Sequence, residues 1–104
     1  MRCDPRALVE QAVALFRPRL DALGVALSLE TGGAPAEIVA DAEQIGRVLK
    51  NVVANALDAL EPVENRALSI AVRRSDDGFR TEIVFEISDT GVGLGPETLR
   101  RLFE

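Results

Sequence analysis

Histidine is absent from these 104 residues, and so are tryptophan and tyrosine. Without an imidazole the chain supplies no histidine base, no serine–histidine triad and no phosphohistidine of its own. A single cysteine, Cys3, excludes an intramolecular disulfide and a cysteine-built zinc site. With only four aromatics, Phe16, Phe79, Phe85 and Phe103, the core has to be aliphatic. No run approaches the roughly 18 apolar residues of a membrane helix, and the start is not a signal peptide. A cytoplasmic location is therefore expected, with a membrane anchor still open to a longer parent. Basic residues are outnumbered, 12 against 17, for a net charge of -5. That balance argues against unassisted binding of a nucleic-acid backbone. It leaves a nucleotide open, because a metal ion and backbone amides hold phosphates in acidic proteins.

What is present suffices for one small globular domain. Hydrophobic residues make up 47% and charged residues 28%, outside the range of disordered chains. Asp4-Pro5 opens a helix, a capping carboxylate followed by a proline that loses no amide bond there. Leu8, Val9, Ala12, Leu15, Phe16 and Leu20 then recur at helical spacing to about residue 22, with Pro18 as a kink or stop. Val25, Leu27 and Leu29 alternate with polar or small residues as a strand. Thr31-Gly32-Gly33-Ala34-Pro35 reads as a turn, and residues 37–40 as a second strand pairing antiparallel with the first. Leu68, Ile70 and Val72 alternate again. Asp76-Asp77-Gly78 is a hairpin turn, and residues 80–88 form the return strand.

Two stretches stand out. DAEQIGRVLKNVVANALDAL, residues 41–60, is an amphipathic helix capped by Asp41 and stopped by Pro62. Its apolar side runs Ile45, Val48, Leu49, Val52, Val53, Ala56, Leu57 and Leu60. At about 100° per residue, Asn55 lies about 40° to one side of Asn51 and Asp58 about 20° to the other. Gln44 and Arg47 share that polar stripe. Each asparagine lowers helix propensity, so a pair inside a strong helix needs a reason. The second stretch is DTGVGLG, residues 89–95. Asp89 has the parity of Ile87, so a regular strand points its carboxylate to the covered face, where an unpaired charge is costly. The alternating glycines permit close approach of a ligand to the backbone. Pro96-Glu97-Thr98 is expected to begin another helix, with Leu99, Leu102 and Phe103 on its apolar face.

The order of helix, hairpin and glycine loop resembles the N box and first glycine box of the GHKL ATPases. That group holds sensor histidine kinases, type II topoisomerase ATPase domains, Hsp90 and MutL. RVLKNVVANALDAL resembles the N box of sensor histidine kinases, nearest to nitrogen-regulation and dicarboxylate-sensor types. DTGVGL resembles their first glycine box, and Leu102-Phe103-Glu104 the beginning of their F box. The resemblance implies an α+β fold, a two-layer sandwich of the Bergerat type with a mixed or antiparallel sheet covered on one face by helices. It implies that residues 1–104 are the N-terminal part of such a domain, with the N box at 44–60, the first glycine box at 89–95 and the F box starting at 102–104.

The resemblance also implies roles. Asn55 would coordinate magnesium bridging the phosphates of ATP, and Asn51 would hold phosphate or metal-bound water. Asp89 would accept a hydrogen bond from the adenine amino group. Gly91 and Gly93 would let the loop pass the base and ribose, while Leu57 or Val92 would be either an adenine contact or core. Asp58 stands where many kinases carry a phosphate-reaching lysine, and would position water or an amide instead. Hydrolysing relatives carry glutamate at the position of Asn51; an amide is no general base, which favours phosphotransfer. The expected partners are ATP, a histidine-bearing dimerisation domain and a response regulator, with no nucleic acid. The second glycine box and the ATP lid are expected after residue 104, so this stretch alone is expected to be inactive. It is also expected to self-associate through exposed apolar surface or an open sheet edge. The alternatives are a non-catalytic protein-docking domain on the same frame and an anti-sigma-type serine kinase.

Overall fold

The computed structural model describes residues 2–76, 78, 81–90 and 97–103, with Thr81 and 97–103 described by backbone course alone. The chain runs β1 (Arg2–Cys3), α1 (Pro5–Leu23), β2 (Ala26–Gly33), β3 (Ile38–Val39), α2 (Ala42–Leu60), β4 (Ala67–Asp76), β5 (Thr81–Asp89) and β6 (Glu97–Phe103). One sheet has the order β2-β4-β5-β6; β1 and β3 form a separate antiparallel pair. Two helices pack on each other and on one face of the larger sheet, a mixed α+β sandwich.

Both helices begin as their sequences dictate. The Asp4 carboxylate accepts from the Arg6 amide at 2.9 Å, and that of Asp41 from the Gln44 amide at 3.1 Å. Pro18 neither ends nor replaces α1, which continues to Leu23. The helix stops at Gly24, whose φ of 65° is the left-handed conformation that a side chain resists. Leu15, expected on the apolar side, is 58% exposed, and Val13 is buried in its stead. The buried face of α2 is Ile45, Leu49, Val53, Ala56, Leu57 and Leu60. Val48 and Val52 sit at its margin.

The two helices meet Leu68, Ile70 and Val72 of β4 and Ile83, Phe85 and Ile87 of β5 in one core. Among the described residues no polar or charged side chain is buried. The β4–β5 hairpin keeps regular register from Asp76↔Thr81 to Leu68↔Asp89. Within its turn the Asp76 carboxylate accepts from the Gly78 amide at 3.0 Å, and Gly78 has φ 89°.

Three expectations about strands are corrected. Residues 25–30 and 37–40 do not pair with each other. β2 instead runs parallel to β4, from Ala26↔Ala67 onward, and Ile38–Val39 pairs with Arg2–Cys3. The parallel pairing needs a long crossover, which the segment holding β3 and α2 supplies. Second, Thr31–Gly33 belongs to β2 rather than to a turn, after an irregularity between Glu30 and Gly33. Third, residues 97–103 form strand β6 against β5 rather than a helix. Two isolated helical turns gain little on their own, whereas the outer edge of β5 offers a ready ladder of donors and acceptors.

Candidate functional site

α2, which carries the asparagine stripe, packs its buried row against β5, the strand that ends in Asp89. Asn51, Asn55, Gln44, Arg47 and Asp58 are all exposed, on the side of α2 away from its buried row. Among the described residues neither Asn51 nor Asn55 has a hydrogen-bond partner for its carboxamide, so both oxygens are free to meet a ligand. Free amide oxygens beside solvent suit a magnesium ion that keeps most of its shell as water and phosphate oxygen. No group of three metal-binding side chains occurs among the described residues. Two amide oxygens one turn apart could supply part of a magnesium shell, the rest being water or phosphate oxygen. Arg47 turns aside to Glu43, one turn back, at 3.4 Å.

Asp58 is held from the other helix. The Arg19 guanidinium donates to its Oδ1 at 2.6 Å and lies 3.7 Å from the Glu61 carboxylate. An exposed pair of this kind contributes little to stability, of order 0–1 kcal/mol. It does fix the direction of the Asp58 side chain. Leu57, open in sequence between base contact and core, is fully buried and belongs to the core.

Asp89 closes β5 in regular register opposite Leu68, as Ile87 does opposite Ile70. Leu68, Ile70 and Ile87 all face the helices, so Asp89 faces the same layer, half-buried at its rim. Gly91 and Gly93, with Val92, lie outside the described residues.

Two residues without an expected role hold this end of the molecule together. The Thr90 hydroxyl donates to the Asn65 carbonyl at 2.7 Å and accepts from the Ala67 amide at 3.0 Å. Its own amide donates to the Ala67 carbonyl at 3.2 Å. These bonds anchor the residue after Asp89 to the start of β4. Arg66 donates to the carbonyls of Leu23 at 2.8 Å and Leu60 at 2.9 Å, and also to that of Glu61. One guanidinium thus satisfies the C-terminal ends of both helices, where the helix dipole favours a cation. The only sequence hint of Thr90 is its place beside Asp89, and no motif marks Arg66.

A shallow depression of about 340 Å³ also reaches Asp89. It is lined by Ala26, Ser28, Ala67, Ser69 and Ser88, which alternate with the core residues and so lie on the uncovered face. It is not the space between Asn55 and Asp89. The Cys3 thiol is pushed up from its ordinary range, chiefly by burial. Among the described residues no helix is long and apolar enough to cross a membrane.

Comparison with known proteins agrees with this fold. A family profile described as histidine kinase-, DNA gyrase B- and HSP90-like ATPase matches residues 40–104. The non-motile and phage-resistance protein of Caulobacter vibrioides is 35% identical over 95 residues, 91% of this chain and 11% of that protein. Sensor histidine kinase TmoS of Ectopseudomonas mendocina is 25% identical, over 96% of this chain and 10% of its own length. The chain spans 10% to 16% of the length of the curated relatives it matches. Among solved structures, the catalytic domain of histidine kinase ThkA superposes with a TM-score of 0.76 at 21% identity, over 91% of this chain and 60% of that one. The mycobacterial sensor kinase MprB gives 0.70 at 19% identity, over 91% and 58%. These likenesses show a shared fold, that of the GHKL ATPases. With more than half of its length matched by the profile, this chain belongs to the histidine kinase-, DNA gyrase B- and HSP90-like ATPase family.

Proposed function

We propose that this chain is ATP-binding catalytic-domain sequence of a two-component sensor histidine kinase, with the N box at 44–60, the first glycine box at 89–95 and the F box starting at 102–104. Two unpartnered, exposed asparagines one turn apart on α2, the helix packed on the strand that ends in Asp89, support this reading most. Asn55 would give its amide oxygen to magnesium, and Asn51 would hold phosphate or metal-bound water one turn away. Bound magnesium would neutralise charge on the phosphates during transfer. Asp89 would accept from the adenine amino group, and Gly91 and Gly93 would let the base lie against the backbone. Asp58, steadied by Arg19, would border the phosphates and order water there. An amide at position 51 leaves no base to activate water, so the chemistry favoured is transfer of the γ-phosphoryl group.

In the whole protein that group would pass to a histidine on a dimerisation domain and then to a response regulator. The structure of ThkA in complex with its response regulator TrrA has a TM-score of 0.67 to this chain, over 85% of it. That likeness supports the same partner class here. Kinship to nitrogen-regulation and dicarboxylate-sensor types rests on the Arg47–Leu60 stretch. A cytoplasmic site of action follows from the need for ATP.

Titration with magnesium–ATP, followed by amide chemical shifts, tests the site. Shifts should centre on residues 51, 55 and 89–93 and require magnesium. Asp89→Asn exchanges an acceptor for a mixed amide at a charge-assisted hydrogen bond. It should weaken binding about 10- to 100-fold. A parent-length protein whose spectrum ignored nucleotide would defeat the proposal. If that protein still docked a partner, a non-catalytic docking role would take its place.

A further inference from the structure

Helix α1 carries a charge pattern that nucleotide binding does not use. Arg6, Glu10, Ala14, Arg17 and Asp21 are exposed, and Val13 is buried beneath them. At about 100° per residue these six fall within an arc of about 100°. Glu10 and Arg17 lie equally far on either side of the midpoint between Val13 and Ala14. Arg6 and Asp21 do the same, and each pair is of opposite sign. The four charges could pair within the helix at i, i+4, yet none is in an ion pair among the described residues. Arg6 only reaches the Ala34 carbonyl, at 3.4 Å.

This stripe borders a groove of about 350 Å³ lined by Glu10, Val13, Ala14, Arg17 and Leu29. Its far wall, β2, is the edge of the four-stranded sheet. Leu29 stands in register with Ile70, a core residue, but is itself 40% exposed. The Ala26 amide points inward, to the Arg66 carbonyl at 2.9 Å. By alternation the backbone groups of Leu27 and Leu29 point outward. The edge therefore offers a ladder beside an apolar groove flanked by one charge of each sign.

We propose that the occupant is a second copy of this chain, related by a two-fold axis perpendicular to the sheet. The axis passes beside Leu29 and between Val13 and Ala14. The β2 strands run antiparallel, Leu29 opposite Leu29 and Ser28 opposite Glu30, and the two sheets become one. Above them the α1 helices lie antiparallel, with Glu10 facing the partner's Arg17 and Arg6 facing the partner's Asp21. A two-fold contact must be self-complementary, and a charge series that reverses sign about its centre meets that demand. An unrelated partner imposes no such symmetry. Exposed ion pairs contribute little each, so the charges set register while the leucine contact and the edge ladder hold the copies together.

Sedimentation or light scattering of the 104-residue chain tests this. The mass should rise with concentration from 11.2 kDa to twice that value. Glu10→Arg and Arg17→Glu should each raise the dimerisation midpoint at least about tenfold. A one-to-one mixture of those two variants should dimerise again, because each supplies the charges the other needs. Leu29→Lys should abolish the dimer. Far-UV circular dichroism of each variant shows that it is folded. A mass of one chain up to millimolar concentration overturns the proposal. So does a dimer indifferent to all three substitutions, which would place the contact elsewhere, for instance at β6. A mixture no better than its components excludes the two-fold register.

Discussion

Thr90 ties down the strand end that carries Asp89. Its hydroxyl and amide together make three hydrogen bonds to Asn65 and Ala67, and these fix where β5 ends. Thr90→Val keeps the shape and removes both hydroxyl bonds. It should cost about 1–2 kcal/mol, read as a lower urea midpoint at unchanged slope. Thr90→Ser should recover most of that loss. Thr90→Val should also weaken nucleotide binding, since Asp89 is the residue before it. Asp89 itself was legible in sequence, because strand parity tied it to Ile87. Thr90 was not, because its partners lie more than twenty positions away and no local pattern announces them. Asn51 and Asn55 were legible for the opposite reason: polar amides at helical spacing interrupt an otherwise strong helix.

At the scale of elements, Arg66 joins what the chain separates. It bonds carbonyls at the ends of α1 and α2, three in all. Arg66→Met should therefore cost about 2–4 kcal/mol and lower the thermal midpoint. Arg66→Lys should recover only part, because an ammonium cannot fork to several carbonyls in one plane. Both helices, the hairpin and their apolar faces could be read in advance, since each rests on local periodicity and a cap. Strand partnership could not. β2 has the same alternation whether it pairs with residues 37–40 or with β4. The parallel partner lies across a crossover that includes α2, a long-range relation that local alternation does not encode. The segment 97–103 shows the same limit. Its leucines and phenylalanine are spaced acceptably for a helix, yet the open edge of β5 draws it into the sheet. Pro18 also misled, because an exposed proline near the end of a helix removes one amide bond without ending the helix.

For the molecule as a whole, the helices cover one face of the sheet and the other bears Ser28, Ser69, Ala71 and Ser88 together with the buried Val84. That division was visible in the alternation of β4 and β5. The self-complementary surface on α1 was invisible until the fold placed Leu29 beside Val13. The parallel pairing of β2 with β4 has a kinetic consequence. It joins residues about forty positions apart, and the chain between them includes the whole of α2. Such a ladder closes only after that intervening helix has crossed the sheet, so it forms late and opens as a unit. Deuterium exchange should report β2 amides and α2 amides losing protection together, while the β4–β5 hairpin outlasts both. Whatever grips Asn51 and Asn55 then also bolts the seam between β2 and β4, and a bound nucleotide should slow exchange in a strand it never touches.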